Sequence, residues 1–324
     1  MTPRILNAEP ENYSAEARAI LAQAGDLVEE VVRQSDLPAR VKDFDALIVR
    51  LGLRVTREVL EASSRLKFVV TATTGVDHID MNAASQLGVQ VLSLRGEYQF
   101  LRRIPATAEH TWGLLLSLVR RIPWAFEHVL SGDWERDLFR GHDLAGKRLG
   151  ILGLGRIGER VANLGLAFGM EVAAYDPHRE AWPAGVARAD SAEDLLNRAQ
   201  VLSIHLPLTE ATTGYLSAEL LSCLPAGAWV VNTSRGAVMD ENALVAALED
   251  GRIAGAAVDV ICGEQPSELR RRSPLIEYAA RSSNLIITPH IGGATFESMQ
   301  RTEVFMAERL ARYLKDDAAR VTTT

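Results

Sequence analysis

The sequence predicts an α/β fold with two parallel sheets in two domains. Three observations carry this. The chain has 324 residues, more than the roughly 100–200 that one domain usually holds. Short apolar runs alternate with helical patterns almost from end to end, which argues crossover helices between parallel strands. The runs are apolar throughout, as strands buried on both faces tend to be.

The first third offers strands at 4–6, 46–49, 68–71 and 89–92, with helices at 14–24, 56–62 and 81–87 between them. Gly88 falls where a helix would stop. A second series offers strands at 148–152, 172–175, 201–204, 229–232, 255–258 and 285–288, and residues 106–121 form an apolar helix joining the two series. The stretch 295–315 is again helical by pattern and follows the second sheet, a position from which it can pack back on the first domain.

Hydrophobic residues make up 47% and charged residues 24%, ordinary globular usage that excludes a disordered chain. The net charge of −7 argues against a general nucleic-acid binder. Two cysteines, Cys223 and Cys262, form neither a disulfide framework nor a zinc cluster. The N-terminus lacks a signal-peptide layout, and no apolar run of about 18 residues suggests a membrane span. The expectation is a cytoplasmic protein with no metal and with neither membrane nor nucleic acid as partner.

The strongest local signal is Gly153-Leu154-Gly155-Arg156-Ile157-Gly158, between a strand and a helix pattern. Asp176 closes the next strand, near the expected spacing of about 20 residues. Gly153 permits a tight turn, Gly155 permits close approach of a pyrophosphate, and Gly158 permits close packing of helix on strand. The helix N-terminus offers N–H groups and a positive dipole end. Asp176 can accept from ribose hydroxyls and repels a 2′-phosphate, which favours NAD over NADP. His178 and Arg179, close behind, weigh the other way.

Three further stretches follow apolar strands: Asn232-Thr233-Ser234-Arg235-Gly236, Asp259-Val260-Ile261-Cys262-Gly263-Glu264 and Thr288-Pro289-His290-Ile291-Gly292-Gly293. In an open parallel sheet such strand ends face the ligand crevice. Hydride transfer to a ketone builds negative charge on oxygen. A protonated histidine can donate there, with a carboxylate beside it favouring the charged ring. An arginine fork can hold the carboxylate of a 2-keto acid. His290, Glu264 and Arg235 supply that set.

With these residues in place, the chain resembles the D-isomer-specific 2-hydroxyacid dehydrogenases, in the branch of phosphoglycerate dehydrogenases and glyoxylate and hydroxypyruvate reductases. The likeness runs from about Val49 to Thr295 through TTGVDHID, TAEH, GLGRIG, HLPLT, NTSRGAVMDENALVAAL, AGAAVDV and TPHIGGAT. It implies two Rossmann-like or flavodoxin-like domains, an NAD-binding domain at 103–295 inserted into a substrate domain made of 1–102 and 296–324. It implies catalysis by Arg235, Glu264 and His290, with substrate held by Arg50, Gly75, Val76 and Arg235. Thr107, Arg156, Ile157, Asp176, His205, Pro207, Thr212, Thr233, Ser234, Arg235, Asp259, His290 and Gly293 match positions that contact NAD, beside the three glycines. The resemblance further implies a homodimer with residues 106–121 near the interface.

The chain also departs from the family pattern. Gln265 intervenes between Glu264 and Pro266, Leu51 replaces a serine after Arg50, and residues 97–105 lengthen the segment before TAEH. Arg50, Arg54, Arg95, Arg102 and Arg103 cluster in sequence near the expected cleft. They raise the expectation of a substrate with a second anionic group, phosphoglycerate-like, against the plain alternative of solvated surface pairs. Two other readings stay open: an NAD-sensing corepressor-like binding protein, and a phosphite dehydrogenase-like enzyme with the same three residue types.

Overall fold

The computed structural model describes residues 2–265 and 267–322, apart from the side chains of 267–268 and 318–322. It is an α/β protein with two all-parallel sheets, in two compact units: Met1–Leu101 with Ala294–Thr324, and Arg102–Gly293.

The first unit holds β1 (Arg4–Asn7), β2 (Asp26–Glu29), β3 (Ala46–Val49), β4 (Phe68–Thr71) and β5 (Gln90–Leu92), in the order β2-β1-β3-β4-β5. Around them run α1 (Ala15–Ala24), α2 (Leu37–Arg40), α3 (Arg57–Glu61), α4 (Met81–Gln86) and α5 (Tyr98–Leu101). Ser14 and Asp80 cap α1 and α4 by accepting from the N–H groups of Ala17 and Ala83. β3 and β4 are buried along their whole length, and α2 and α3 contribute Leu37, Val59 and Leu60 to the core packed with them. The sequence reading omits β2. This edge strand is only partly buried, with exposed acids at both ends, so no apolar run marks it.

The second unit opens with α6 (Ala106–Val119) and α7 (Ile122–Leu130). The apolar pattern extends to 121, but the helix ends at Val119 because Arg121 takes a left-handed turn, φ 55°. Strands β6 (Arg148–Leu152), β7 (Glu171–Tyr175), β8 (Val186–Arg188), β9 (Val201–Ile204), β10 (Ala228–Asn232), β11 (Ile253–Val258) and β12 (Leu285–Ile287) lie in the order β12-β11-β10-β9-β6-β7-β8. Between them come α8 (Arg156–Ala167), α9 (Ala192–Arg198), α10 (Ala218–Ser222), α11 (Glu241–Glu249), α12 (Ser267–Arg270) and α13 (Pro274–Ala279).

The chain lays down β6, β7 and β8 in one direction, then restarts beside β6 with β9. That reversal opens a crevice at the carboxyl ends of β6 and β9, where ligands bind in such sheets. One face of the sheet is covered by α6 and α8, where Trp112 donates to the Val161 carbonyl at 3.3 Å and stacks on Phe168. The other face is covered by α9, α10 and α11 through Leu196, Leu221 and Leu244.

The closing helix, α14 (Phe296–Thr322), belongs to the first unit. It packs on α1, where its Glu303 accepts from the Ser14 N–H at 2.7 Å. It buries Met306, Ala307, Leu310 and Leu314, spaced as one helical face. Residues 97–105 are not a bare loop at their start. Phe100 stacks on Phe305 and Glu97 pairs with Arg309 at 2.9 Å, so α14 anchors α5.

Candidate active site

The three glycines after β6 have different spatial reasons. Gly153 has φ 90°, and a Cβ there would lie 2.8 Å from the His205 carbonyl oxygen. A Cβ on Gly158 would lie 2.1 Å from the Gly153 carbonyl oxygen, so α8 meets the turn with no room for a side chain. A Cβ on Gly155, the N-cap of α8, would meet no heavy atom within 4 Å. Open space therefore faces the start of the helix. This cradle fits a pyrophosphate.

Asp176 follows β7 with its carboxylate aimed back at the turn. Oδ2 accepts from the Leu154 N–H at 2.9 Å, and Oδ1 accepts from the His178 N–H at 2.9 Å. Arg179 is committed elsewhere. Its guanidinium donates to the Leu154 and Ala181 carbonyls and pairs with Glu159 at 2.8 Å. The acid thus dominates this corner, as expected for a ribose diol without a 2′-phosphate.

The expected cofactor contacts after β9 are His205, Pro207 and Thr212. His205 pairs through Nε2 with Ser203 Oγ at 2.8 Å, and burial pushes its imidazole down to about 3, so the ring is neutral. Thr212 Oγ1 donates to the Pro207 carbonyl at 2.6 Å and accepts from the Thr209 N–H, which shapes the exposed turn. Arg156 donates to the Ile104 carbonyl at 2.9 Å, tying the start of α8 to the segment before α6. Ile157 is partly buried against the core, while Gly293 is exposed.

The expected catalytic residues lie beyond the ends of β10, β11 and β12. His290 Nδ1 is 2.7 Å from Glu264 Oε2, and the histidine backbone sits at φ 55°, a conformation uncommon for a non-glycine residue. Two backbone acceptors, the Asp259 and Thr288 carbonyls, hold its N–H there. The carboxylate can accept a hydrogen bond from Nδ1–H, which leaves Nε2 outside this pair.

Buried Asp259 anchors this loop. Its Oδ1 accepts from Thr288 Oγ1 at 2.6 Å, the Ile291 N–H at 2.9 Å and His110 Nε2 at 3.1 Å, while Oδ2 accepts from the Gly292 N–H at 2.7 Å. Burial pushes the carboxyl up, but the donors together outweigh it, and the group lies below the ordinary carboxylate value.

Asn232, fully buried, accepts from the Ser234 N–H and hydroxyl through Oδ1 and donates to the Arg235 carbonyl, and so shapes the turn that carries Arg235. Thr233 Oγ1 meets Thr111 Oγ1 of α6 at 2.8 Å, and Thr107 lies one turn earlier on that helix. Sequence reasoning gave no role to His110, Thr111 or Glu241, and named Asn232 and Thr288 only as the first residues of their stretches; nothing in the sequence shows which of these side chains turn inward.

The expected substrate residues Arg50, Gly75 and Val76 belong to the first unit. Arg50 donates to the Glu11 carbonyl at 2.9 Å and reaches Met299 Sδ. The Gly75 carbonyl accepts from Thr73 Oγ1 at 2.6 Å beyond the end of β4, and Val76 is buried. The five arginines that cluster in sequence are divided between the units, Arg50, Arg54 and Arg95 in one, Arg102 and Arg103 in the other.

Residues 112–292 match the model of the D-isomer specific 2-hydroxyacid dehydrogenase, NAD binding domain. The chain belongs to that family. It is 36% identical over 320 residues to a D-3-phosphoglycerate dehydrogenase of Methanocaldococcus jannaschii, a match that covers 98% of this chain and 58% of the relative. It is 33% identical over 289 residues to a hydroxypyruvate reductase of Thermotoga maritima, covering 89% and 91%. Among solved structures, D-lactate dehydrogenase from Aquifex aeolicus complexed with NAD and lactic acid superposes with a TM-score of 0.84 at 27% identity, covering 99% of this chain and 98% of the other. The chain thus spans little more than half of the phosphoglycerate dehydrogenase and most of the reductase. No helix among the described residues is long and apolar enough to cross a membrane.

Proposed function

We propose that the chain is an NAD-dependent oxidoreductase that moves a hydride between NAD(H) and a D-2-hydroxy acid or its 2-keto acid. The observation that carries this reading is the His290–Glu264 pair, 2.7 Å apart, on the same sheet as the glycine cradle and Asp176. NAD, held by Gly153–Gly158 and Asp176, supplies the hydride acceptor or donor when bound. The relatives' reactions, on phosphoglycerate and hydroxypyruvate by their names, support the substrate class.

The chain's own residues divide the remaining work. Glu264 accepts a hydrogen bond from the Nδ1–H of His290 and fixes the ring. In oxidation Nε2 takes the hydroxyl proton; in reduction the doubly protonated ring gives it back. Arg235, on the turn after β10, holds the substrate carboxylate in two-point geometry. Asp259 carries no proton in this scheme; it keeps the loop of His290 in its left-handed shape.

The substrate we favour carries a second anionic group, phosphate or carboxylate, a reading supported by the arginine-rich segments and the phosphoglycerate dehydrogenase relatives. A panel of glyoxylate, hydroxypyruvate, 3-phosphohydroxypyruvate and pyruvate, followed by NADH absorbance, tests both points. Turnover of at least one 2-keto acid is expected, best on the phosphorylated one, with R235A raising KM. Failure on every 2-keto acid would overturn the function; equal rates on charged and uncharged tails would overturn the second anion.

A homodimer belongs to the same reading. Helix α7 buries none of its residues, and Ile122, Phe126 and Leu130 stand exposed beside Trp134 and Leu138. A second copy is the occupant proposed for this face. Light scattering should give a dimer for the wild type and a monomer for F126D; a monomeric wild type would contradict it. A cytoplasmic setting, with neither nucleic acid nor membrane as partner, suits the two free cysteines and the net charge of −7.

A further inference from the structure

Glu241, the first residue of α11, is a charged side chain with only 6% of its surface exposed. Asp240 before it already caps the helix, accepting from Asn242 and Ala243 N–H groups, so the carboxylate of Glu241 is not needed for capping. It is turned the other way. Oε1 accepts from the Cys262 N–H at 2.5 Å and Oε2 accepts from Ser273 Oγ at 3.3 Å. Cys262 follows β11, and Ser273 immediately precedes α13. The segment between them carries Glu264. One carboxylate therefore pins both ends of the loop that presents the partner of His290.

A second contact joins the same point to the arginine turn. A Cβ on Gly236 would lie 2.1 Å from the Ile261 carbonyl carbon and 2.4 Å from the Cys262 nitrogen. The turn after Arg235 thus rests directly on the peptide that Glu241 holds. Glu264 holds the preceding peptide, with Oε1 accepting from the Ile261 N–H at 3.3 Å. The turn after Arg235, Glu264 and the backbone of Ile261 and Cys262 thus form one packed assembly, and α11 supports it through the Glu241 carboxylate. The titratable and charged groups around it are Asp240 on α11, Cys262 and Glu264 on the loop, and Arg270 of α12, whose guanidinium donates to the Glu264 carbonyl.

We infer that Glu241 is a positioning residue for the acid–base pair: by fixing the Cys262 amide it sets where Glu264 stands against His290. This rests on the proposed roles of His290 and Glu264. A carboxylate this buried is costly unless its acceptors are filled, and here the donors are the backbone and hydroxyl groups whose places decide the geometry of the loop. Burial pushes its carboxyl up from the ordinary value, and the Cys262 and Ser273 hydrogen bonds pull it back.

The test compares wild type, E241A, E241Q, E264Q and H290A, each with a melting curve, NADH binding by fluorescence, and kcat and KM for 2-keto acid reduction across pH. E241A leaves the Cys262 amide without its acceptor, and kcat is expected to fall by about 10²-fold, the order of loss from a displacement near 1 Å. NADH binding should hold, and the pH optimum of reduction should move down in the same direction as in E264Q, because in both the imidazolium loses its carboxylate. E241Q keeps an acceptor for Cys262 and should recover most of kcat and the wild-type profile. A melting point lowered in E241A with kcat and pH profile unchanged would make Glu241 merely structural and overturn the inference. If H290A turns over like the wild type, the acid–base reading itself fails; if H290A is inactive while E241A is normal, only the inference fails.

Discussion

The glycine turn at 153–158 and the corner that carries His290 are both strand ends of one sheet, yet they are held in opposite ways. The turn is shaped by missing side chains: a Cβ on Gly158 would strike the backbone, and one on Gly155 would fill the space a phosphate needs. The corner is shaped by buried acids. Asp259 and Glu241 are almost wholly enclosed and between them bind the amides of Ile291, Gly292 and Cys262. The first device makes a surface that accepts charge from outside. The second supplies charge inside, and so keeps a strained histidine and its carboxylate partner in register. On the proposed roles, binding belongs to the first region and chemistry to the second, and substitutions should divide along that line.

The largest expected effect falls on the chemical side. H290A should lower kcat by about 10²–10⁴ with NADH affinity near that of the wild type, read by steady-state kinetics and fluorescence titration. A matched loss of both would erase the distinction between the two regions. G158A should do the reverse. Its methyl meets the Gly153 carbonyl at 2.1 Å, and overpacking of this kind costs about 1–3 kcal/mol. NADH binding should weaken by roughly 10–100-fold, with kcat at saturating cofactor much less affected.

The smallest effect concerns pH. Asp259 lies below the ordinary carboxylate value, so its contribution to stability is complete above that ordinary value and is lost as pH falls through the lowered one. Glu241 and Glu303, pushed up by burial, act with the opposite sign: their contribution is complete at low pH and lost as pH rises through their raised values. D259N should therefore melt below the wild type at neutral pH, and the gap should narrow toward acid. Parallel melting curves from pH 7 to 3 would show that Asp259 is not the charge that holds the corner.

The same contrast explains what could be read from the sequence. A glycine's role is local, and Gly153, Gly155, Gly158 and Asp176 were recognisable from spacing beside one strand and one helix. Buried strands such as β3 and β9 announce themselves by unbroken apolar runs, while β2, half exposed at an edge, does not. Arg235, Glu264 and His290 could be named because strand ends gather on one side of a parallel sheet. Their supports could not. Glu241 reads as a first-turn helix acid until Cys262 and Ser273 fold onto it, and His110 reaches Asp259 across 149 residues. Arg179 reads as a rival for the cofactor's ribose corner until its pairing with Glu159 is seen.

The most direct test of the central claim follows the hydride itself. The chain is incubated with NADH carrying deuterium at both C4 positions and the 2-keto acid it reduces fastest, and the product is separated by chiral chromatography and weighed. The account predicts one deuterium on carbon 2 of the D-hydroxy acid, and product strongly diminished in H290A although NADH is still bound. Unlabelled carbon 2, an L product, or equal labelling by H290A would contradict it.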